Sequence, residues 1–187
     1  PLPPRSEASF NPLYALKLAL RADGQRVESR QRLQLDEMAL AAGDTLLVYS
    51  DPRGLTSAQL EALFGFAEEG GHLVLRLPPW QVDEADAGEL ADWLPIEPAL
   101  LEPHCMDLYV AGEEDHEEFC SAPRFELADD AELEAAWRTH DGQHVFARFA
   151  YGEGSVDLLG DLDMIDNESL DDGPHLAFVR QLLAPNW

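Results

Sequence analysis

Two carboxylates two residues apart, Asp161 and Asp163, are followed four residues later by the amide of Asn167. Oxygen donors at that spacing can hold a hard cation, and two like charges so close can share a proton. The run that carries them, Gly152 to Asn167, reads G-E-G-S-V-D-L-L-G-D-L-D-M-I-D-N. A glycine-bracketed turn leads into a short apolar strand, Val156 to Leu159, which ends at Gly160 and Asp161. Open α/β sheets take ligands at the carboxyl ends of their strands, which makes Asp161, Asp163 and Asn167 the ligand-binding candidates. The plainer reading is structural: the aspartates cap N–H groups of a turn while Asn167 fixes a loop. As metal ligands Asp161 and Asp163 make a thin site, and no metal or other cofactor is expected.

Other chemistries find less support. The histidines, at 72, 104, 116, 140, 144 and 175, form no H-x-x-x-H or H-E-x-x-H pair, and no Cys/His cluster has zinc spacing. His116, inside the run Glu113 to Glu118, reads as exposed loop with at most a minor part in cation binding. A nucleophile elbow needs small residues flanking a Ser or Cys on a strained strand-to-helix turn. Here Ser50-Asp51-Pro52 and Leu77-Pro78-Pro79 stand where an elbow would have to be. The glycines of G-E-G-S-V enter a strand, whereas a phosphate-cradling fingerprint leaves one. No catalytic residue is assigned.

Composition sets the surroundings. The 187 residues carry 37 acids against 12 bases, a formal net charge of -25, with 45% hydrophobic residues. That is ordinary globular composition with a surface that repels phosphate backbones and anionic headgroups, so nucleic acid is excluded as a partner. No apolar run approaches the roughly 20 residues needed to cross a bilayer. The chain opens at Pro1 without a methionine and is read as an excised fragment of a longer protein. Cys105 and Cys120 lie on either side of an acidic loop. Two free thiols and a disulfide are both open. Pairing of the flanking segments as a hairpin would allow the bridge and place the domain outside the cytoplasm.

The elements that must position these residues read as one α/β domain over 1–187, with a loose leader at 1–10. Asn11-Pro12 starts a helix on Leu13, Leu16 and Leu20 that stops at Gly24. T-L-L-V-Y-S (45–50) and H-L-V-L-R-L (72–77) are near-continuous apolar runs, the pattern of strands covered on both faces. Between them Thr56 and Gln59 have capping-box spacing, and Leu60, Leu63, Phe64 and Ala67 make one apolar face. Strand, capped helix, strand is a βαβ unit. A short helix is expected from Ala87 to Leu94, then strands at 104–110 and 119–127, with an acidic loop at 112–118. Asp141-Gly142 signals a hairpin between 134–139 and 143–150, and Pro174 to Leu183 closes the chain as a helix. The predicted fold is a three-layer, mostly parallel sheet with an antiparallel β-hairpin added in the second half.

The runs N-P-L-Y-A-L (11–16), T-L-L-V-Y-S, E-E-G-G-H-L-V-L (68–75) and Y-G-E-G-S-V, with G-D-L-D and Asn167, resemble a bacterial family, domain of unknown function 4350. The same outline resembles class I glutamine amidotransferase-like and flavodoxin-like sheets, also used in extracytoplasmic domains of gliding-type transport proteins. The resemblance implies a domain held outside the cytoplasm between transmembrane helices, often encoded beside a MoxR-type ATPase. Residues 184–187 would then be a juxtamembrane end, with Trp187 at the interface. The amidotransferase nucleophile and histidine have no counterparts here. Two functions follow as expectations. The first is a non-catalytic binding or scaffolding domain with membrane-protein partners; the alternative is a hydrolase or cation-dependent enzyme using Asp161, Asp163 and Asn167.

Overall fold

The computed structural model describes residues 7–79, 85–99, 104–108, 110 and 112–184. The juxtamembrane reading of 185–187 and the first six residues of the leader lie outside them.

The first helix, α1 (Tyr14–Ala22), turns Leu16 and Leu20 inward. Asn11 does not cap it directly; its Oδ1 accepts the Leu13 N–H at 3.0 Å, one turn earlier. Strand β1 (Thr45–Val48) is followed by helix α2 (Ser57–Glu68) and strand β2 (His72–Arg76), which pairs parallel to β1 as the βαβ reading requires. The capping box is formed: Gln59 N–H donates to Thr56 Oγ1, and the Thr56 N–H to Gln59 Oε1. The helix expected at Ala87 to Leu94 shrinks to α3 (Leu90–Trp93), because Asp86 accepts the Gly88 N–H in a turn of its own.

The second half is strand upon strand: β3 (Ile96–Ala99), β4 (Met106–Leu108), β5 (His116–Glu118), β6 (Arg124–Leu127), β7 (Leu133–Arg138), β8 (His144–Tyr151) and β9 (Gly154–Leu159). Helix α4 (His175–Leu183) closes the chain. One sheet has the order β1-β2-β9-β8-β6-β3 with β7 also on β8, and β4-β5 forms a separate hairpin.

This order corrects the predicted fold. Only β1–β2 and β2–β9 pair parallel, while β9–β8, β8–β6, β6–β3 and β7–β8 are antiparallel. The sheet is mixed and mainly antiparallel, not the mostly parallel sheet of a flavodoxin-like, three-layer fold. Continuous apolar runs report burial of both faces, and burial alone does not set the direction of a neighbour. The direction is decided at the two-residue turn Gly152-Glu153, where Gly152 has a positive φ and β8 folds straight back onto β9. The predicted hairpin β7–β8 exists, but β8 lies inside the sheet and is no appendage.

Gly154 is demanded by a close approach. A Cβ there would collide with the carbonyl oxygens of Gly71 and Ala67 at the end of α2. The central strands β2 and β9 are buried on both faces. Leu60, Leu63, Phe64 and Ala67 of α2 cover Leu73, Leu75, Val156 and Leu158 on one side. Leu16 and Leu20 of α1 and Phe178, Val179 and Leu182 of α4 cover Val74, Phe146 and Leu159 on the other.

Candidate functional site

The three parallel strands end together, bringing Tyr49, Arg76 and Asp161 to one edge just past β1, at the end of β2 and just past β9. Asp161 is partly buried, and its Oδ1 accepts the Asp163 N–H at 3.4 Å. Burial, then the neighbouring charge of Asp163, pushes its carboxyl up to about 6. The negative charge of Glu118 acts in the same direction. Asp163 stands in solvent and accepts Arg76 Nη1 at 3.1 Å. Burial and the charges of Asp163 and Asp166 raise the Tyr49 phenol.

Asn167 faces elsewhere. Its Oδ1 accepts the Ala15 N–H at 2.8 Å, and its Nδ2 donates to the carbonyls of Asn11 at 2.8 Å and Ala8 at 3.5 Å. It clasps the start of α1 to the segment after β9. Asp166 likewise closes a turn, accepting the N–H groups of Glu168 and Ser169. The three sequence candidates therefore separate: Asp161 and Asp163 share the strand edge, whereas Asn167 is committed to backbone.

A second group lies within electrostatic reach of Asp161, and sequence spacing did not reveal it. The last three residues of the stretch expected as acidic loop form β5, antiparallel to β4 with Leu108 opposite His116 and Met106 opposite Glu118. Cys105 and Cys120 are disulfide-bonded, closing this hairpin at its base. Residues 116 and 118 project to one side of the strand because side chains alternate along it. There they meet His175, the first residue of α4. His175 Nε2 lies 2.7 Å and His116 Nε2 3.2 Å from Glu118 Oε2, and the two imidazoles meet edge to face at 4.9 Å. His175 Nδ1 contacts the Ser169 carbonyl at 2.6 Å. The hydrogen bond with Glu118 raises the His175 imidazole, and the same bond lowers the Glu118 carboxyl. The pair thus contributes stability between those limits. It is lost as pH falls through Glu118's folded value below 4.5, and as pH rises through His175's above 6.5. The only sequence signal was the period-two pattern His-x-Glu at 116–118; His175, 57 residues from Glu118, carried none.

A third polar group is structural. Asp157, fully buried on β9, receives Arg148 Nε and Nη2 at 2.6 Å each, and His72 Nε2 lies 2.9 Å from its Oδ2. Arg148 also donates to the Leu182 carbonyl at 2.8 Å, tying β8 and β9 to α4. Open grooves lie beside Asp23 and Arg180 and beside Arg30 and Gln34. Neither reaches the strand edge.

The family model described as Domain of unknown function (DUF4350) matches residues 5–183. No curated protein matches the chain. Among solved structures, the mmIFT52 N-terminal domain is similar with TM-score 0.58 at 13% identity, over 91% of this chain and 89% of that one. That likeness speaks for the fold alone. The exo-beta-1,4-mannosidase Op5Man5 from Opitutaceae bacterium strain TAV5 matches with TM-score 0.47 and 14% identity over 80% of this chain. This chain spans 25% of the mannosidase's length. A beta-galactosidase from Bacillus circulans sp. alkalophilus gives TM-score 0.45 at 14% identity, over 75% of this chain and 22% of that one.

Proposed function

The chain belongs to the domain of unknown function 4350 family, and from that premise we propose that it is a non-catalytic binding or scaffolding domain of a bacterial membrane protein, held outside the cytoplasm. The observation that carries this reading is the commitment of Asn167 and Asp163. Asn167 gives both ends of its amide to backbone groups of residues 8, 11 and 15, and Asp163 pairs with Arg76. Asn167 acts as a fastener and Asp163 forms an exposed ion pair with Arg76, which leaves Asp161 as the partly buried carboxyl at the strand edge. The Cys105–Cys120 bond is compatible with an oxidising compartment. A surface of net charge -25 suits protein partners better than lipid headgroups or nucleic acid. Membrane-protein partners, including products of a MoxR-type ATPase operon, are the class of partner proposed.

The test is a reporter fusion in the parent gene, placed at the end of this domain. Alkaline phosphatase, active only outside the cytoplasm, is expected to be active there. An inactive phosphatase with a fluorescent cytoplasmic reporter at the same junction would overturn the location. A second reading, a hydrolase or cation-dependent enzyme, rests on Asp161, whose raised carboxyl titrates closer to neutrality than an ordinary aspartate. It predicts a hydrolytic activity that Asp161→Asn abolishes without loss of fold.

A further inference from the structure

We propose that His116, Glu118 and His175 form a binding site for one divalent first-row transition-metal ion, of which zinc is the type. The proposal is independent of where the domain resides.

The donors already converge. His116, Glu118 and His175 each bring one ligand atom within 4.8 Å of the other two, and Nε2 of both histidines contacts Oε2 of Glu118. A metal with bonds of about 2.0–2.2 Å to nitrogen and oxygen holds its ligand atoms roughly 3–3.5 Å apart in tetrahedral geometry. The contact of 3.2 Å from His116 to Glu118 already has that spacing, and the 2.7 Å contact to His175 needs to open by a few tenths of an ångström. Two imidazoles and one carboxylate suit zinc, cobalt, nickel or copper, and they disfavour calcium and magnesium, which take mostly oxygen.

The supporting residues suit the same assignment. The Ser169 carbonyl, 2.6 Å from Nδ1 of His175, has only acceptor capacity, so Nδ1 carries the proton and Nε2 faces Glu118. A carbonyl behind the far nitrogen is the usual partner of a metal-bound histidine. His116 is backed by Gly173, whose φ of +46° suits glycine; a Cβ there would stand 2.9 Å from the ring Nδ1 and displace the imidazole. Glu118 is followed by Phe119, which is buried at φ 56, a conformation costly for a bulky residue. The Cys105–Cys120 bond closes the hairpin immediately beyond it. Three elements are thereby held together: the stapled hairpin, the turn at 169–173 and the start of α4.

Three protein ligands leave a coordination position for water or a partner's side chain. The approach is from the His116 side, whose side chain is 34% exposed against 6% for His175. Without metal, Nε2–H of His175 donates to Glu118; the ion takes the place of that proton and releases it.

The test is calorimetric titration of the 187-residue chain with Zn²⁺ near neutral pH, with Co²⁺ as a visible-spectrum probe. One equivalent should bind, Co²⁺ should give the d–d bands of a low-coordinate site, and saturating Zn²⁺ should raise the melting temperature by about 5–10 °C. His116→Ala and Glu118→Gln should each weaken binding by about tenfold or more, while Asp163→Asn leaves it unchanged. Because His175 is buried, its replacement threatens folding. His116→Ala, at the exposed side and checked by circular dichroism, keeps the test clean. Absence of binding overturns the proposal. So does binding of several ions with equal affinity in wild type and His116→Ala, which is diffuse attraction to an acidic surface.

Discussion

At the scale of single residues, Asp161 is the group whose surroundings work against its charged form. Its carboxyl is raised from 3.8 to about 6, so the folded state keeps a proton that the unfolded chain has lost between those values. Where the unfolded state binds fewer protons, stability falls as pH rises. The folded protein should therefore lose stability between pH 3.8 and about 6 on account of this group, and stay lowered above. Each pKa unit is worth about 1.4 kcal/mol, and residual solvent reduces the effect, so about 1–3 kcal/mol is at stake. Asp161→Asn keeps an acceptor for the Asp163 N–H and removes the charge. Urea unfolding with a chelator present should find the variant more stable than wild type at pH 7 and little different below pH 3.8. A variant less stable at pH 7 would count against this account of the carboxyl. The sequence placed Asp161 at a strand end correctly, but its burial depends on packing that spacing does not encode.

At the scale of elements, the turn between β8 and β9 is where close approach matters most. Gly154 packs its bare Cα side against the carbonyls of Gly71 and Ala67, and those backbone atoms cannot yield as a flexible side chain would. Gly154→Ala reduces the freedom of the unfolded chain, worth about 0.4–1 kcal/mol in favour of folding. Overpacking costs about 1–3 kcal/mol and outweighs that gain. Thermal unfolding should thus show a net loss. An unchanged or higher melting temperature would mean that α2 and β9 can move apart. The β4–β5 hairpin teaches a different lesson about legibility. The run G-E-E-D-H-E-E (112–118) is as polar as any loop, yet its last residues are a strand. Propensity and polarity favoured a loop; pairing with Met106–Leu108 beside the disulfide overrode them.

For the whole molecule, charge is the dominant property. A net charge of -25 on 187 residues opposes compaction through self-repulsion. Salt shortens the screening length from about 10 Å at 0.1 M to about 3 Å at 1 M. The melting temperature should rise as sodium chloride is added over that range, because few of the acids have a cation to lose: the bases number 12 against 37. A fall would show that exposed ion pairs such as Arg180–Asp23 and Arg53–Asp51 outweigh the repulsion. The buried Arg148–Asp157 pair is the least sensitive to salt, since solvent ions do not reach it.

The sequence by itself determined the local units: α2 with its capping box, the parallel pair β1–β2, the β7–β8 hairpin and the turn into β9. Each rests on short-range signals, apolar periodicity, capping spacing and turn glycines, that neighbouring residues contain in full. It also gave grounds for the family, and left the pairing of Cys105 with Cys120 open. Only the tertiary structure decided the direction of most strands, because apolar runs look alike in parallel and antiparallel neighbours. It alone separated Asn167 from the two aspartates, and it alone brought His175 to His116 and Glu118. Side chains more than fifty residues apart meet when a hairpin and a helix start pack together, and no spacing rule along the chain carries that information.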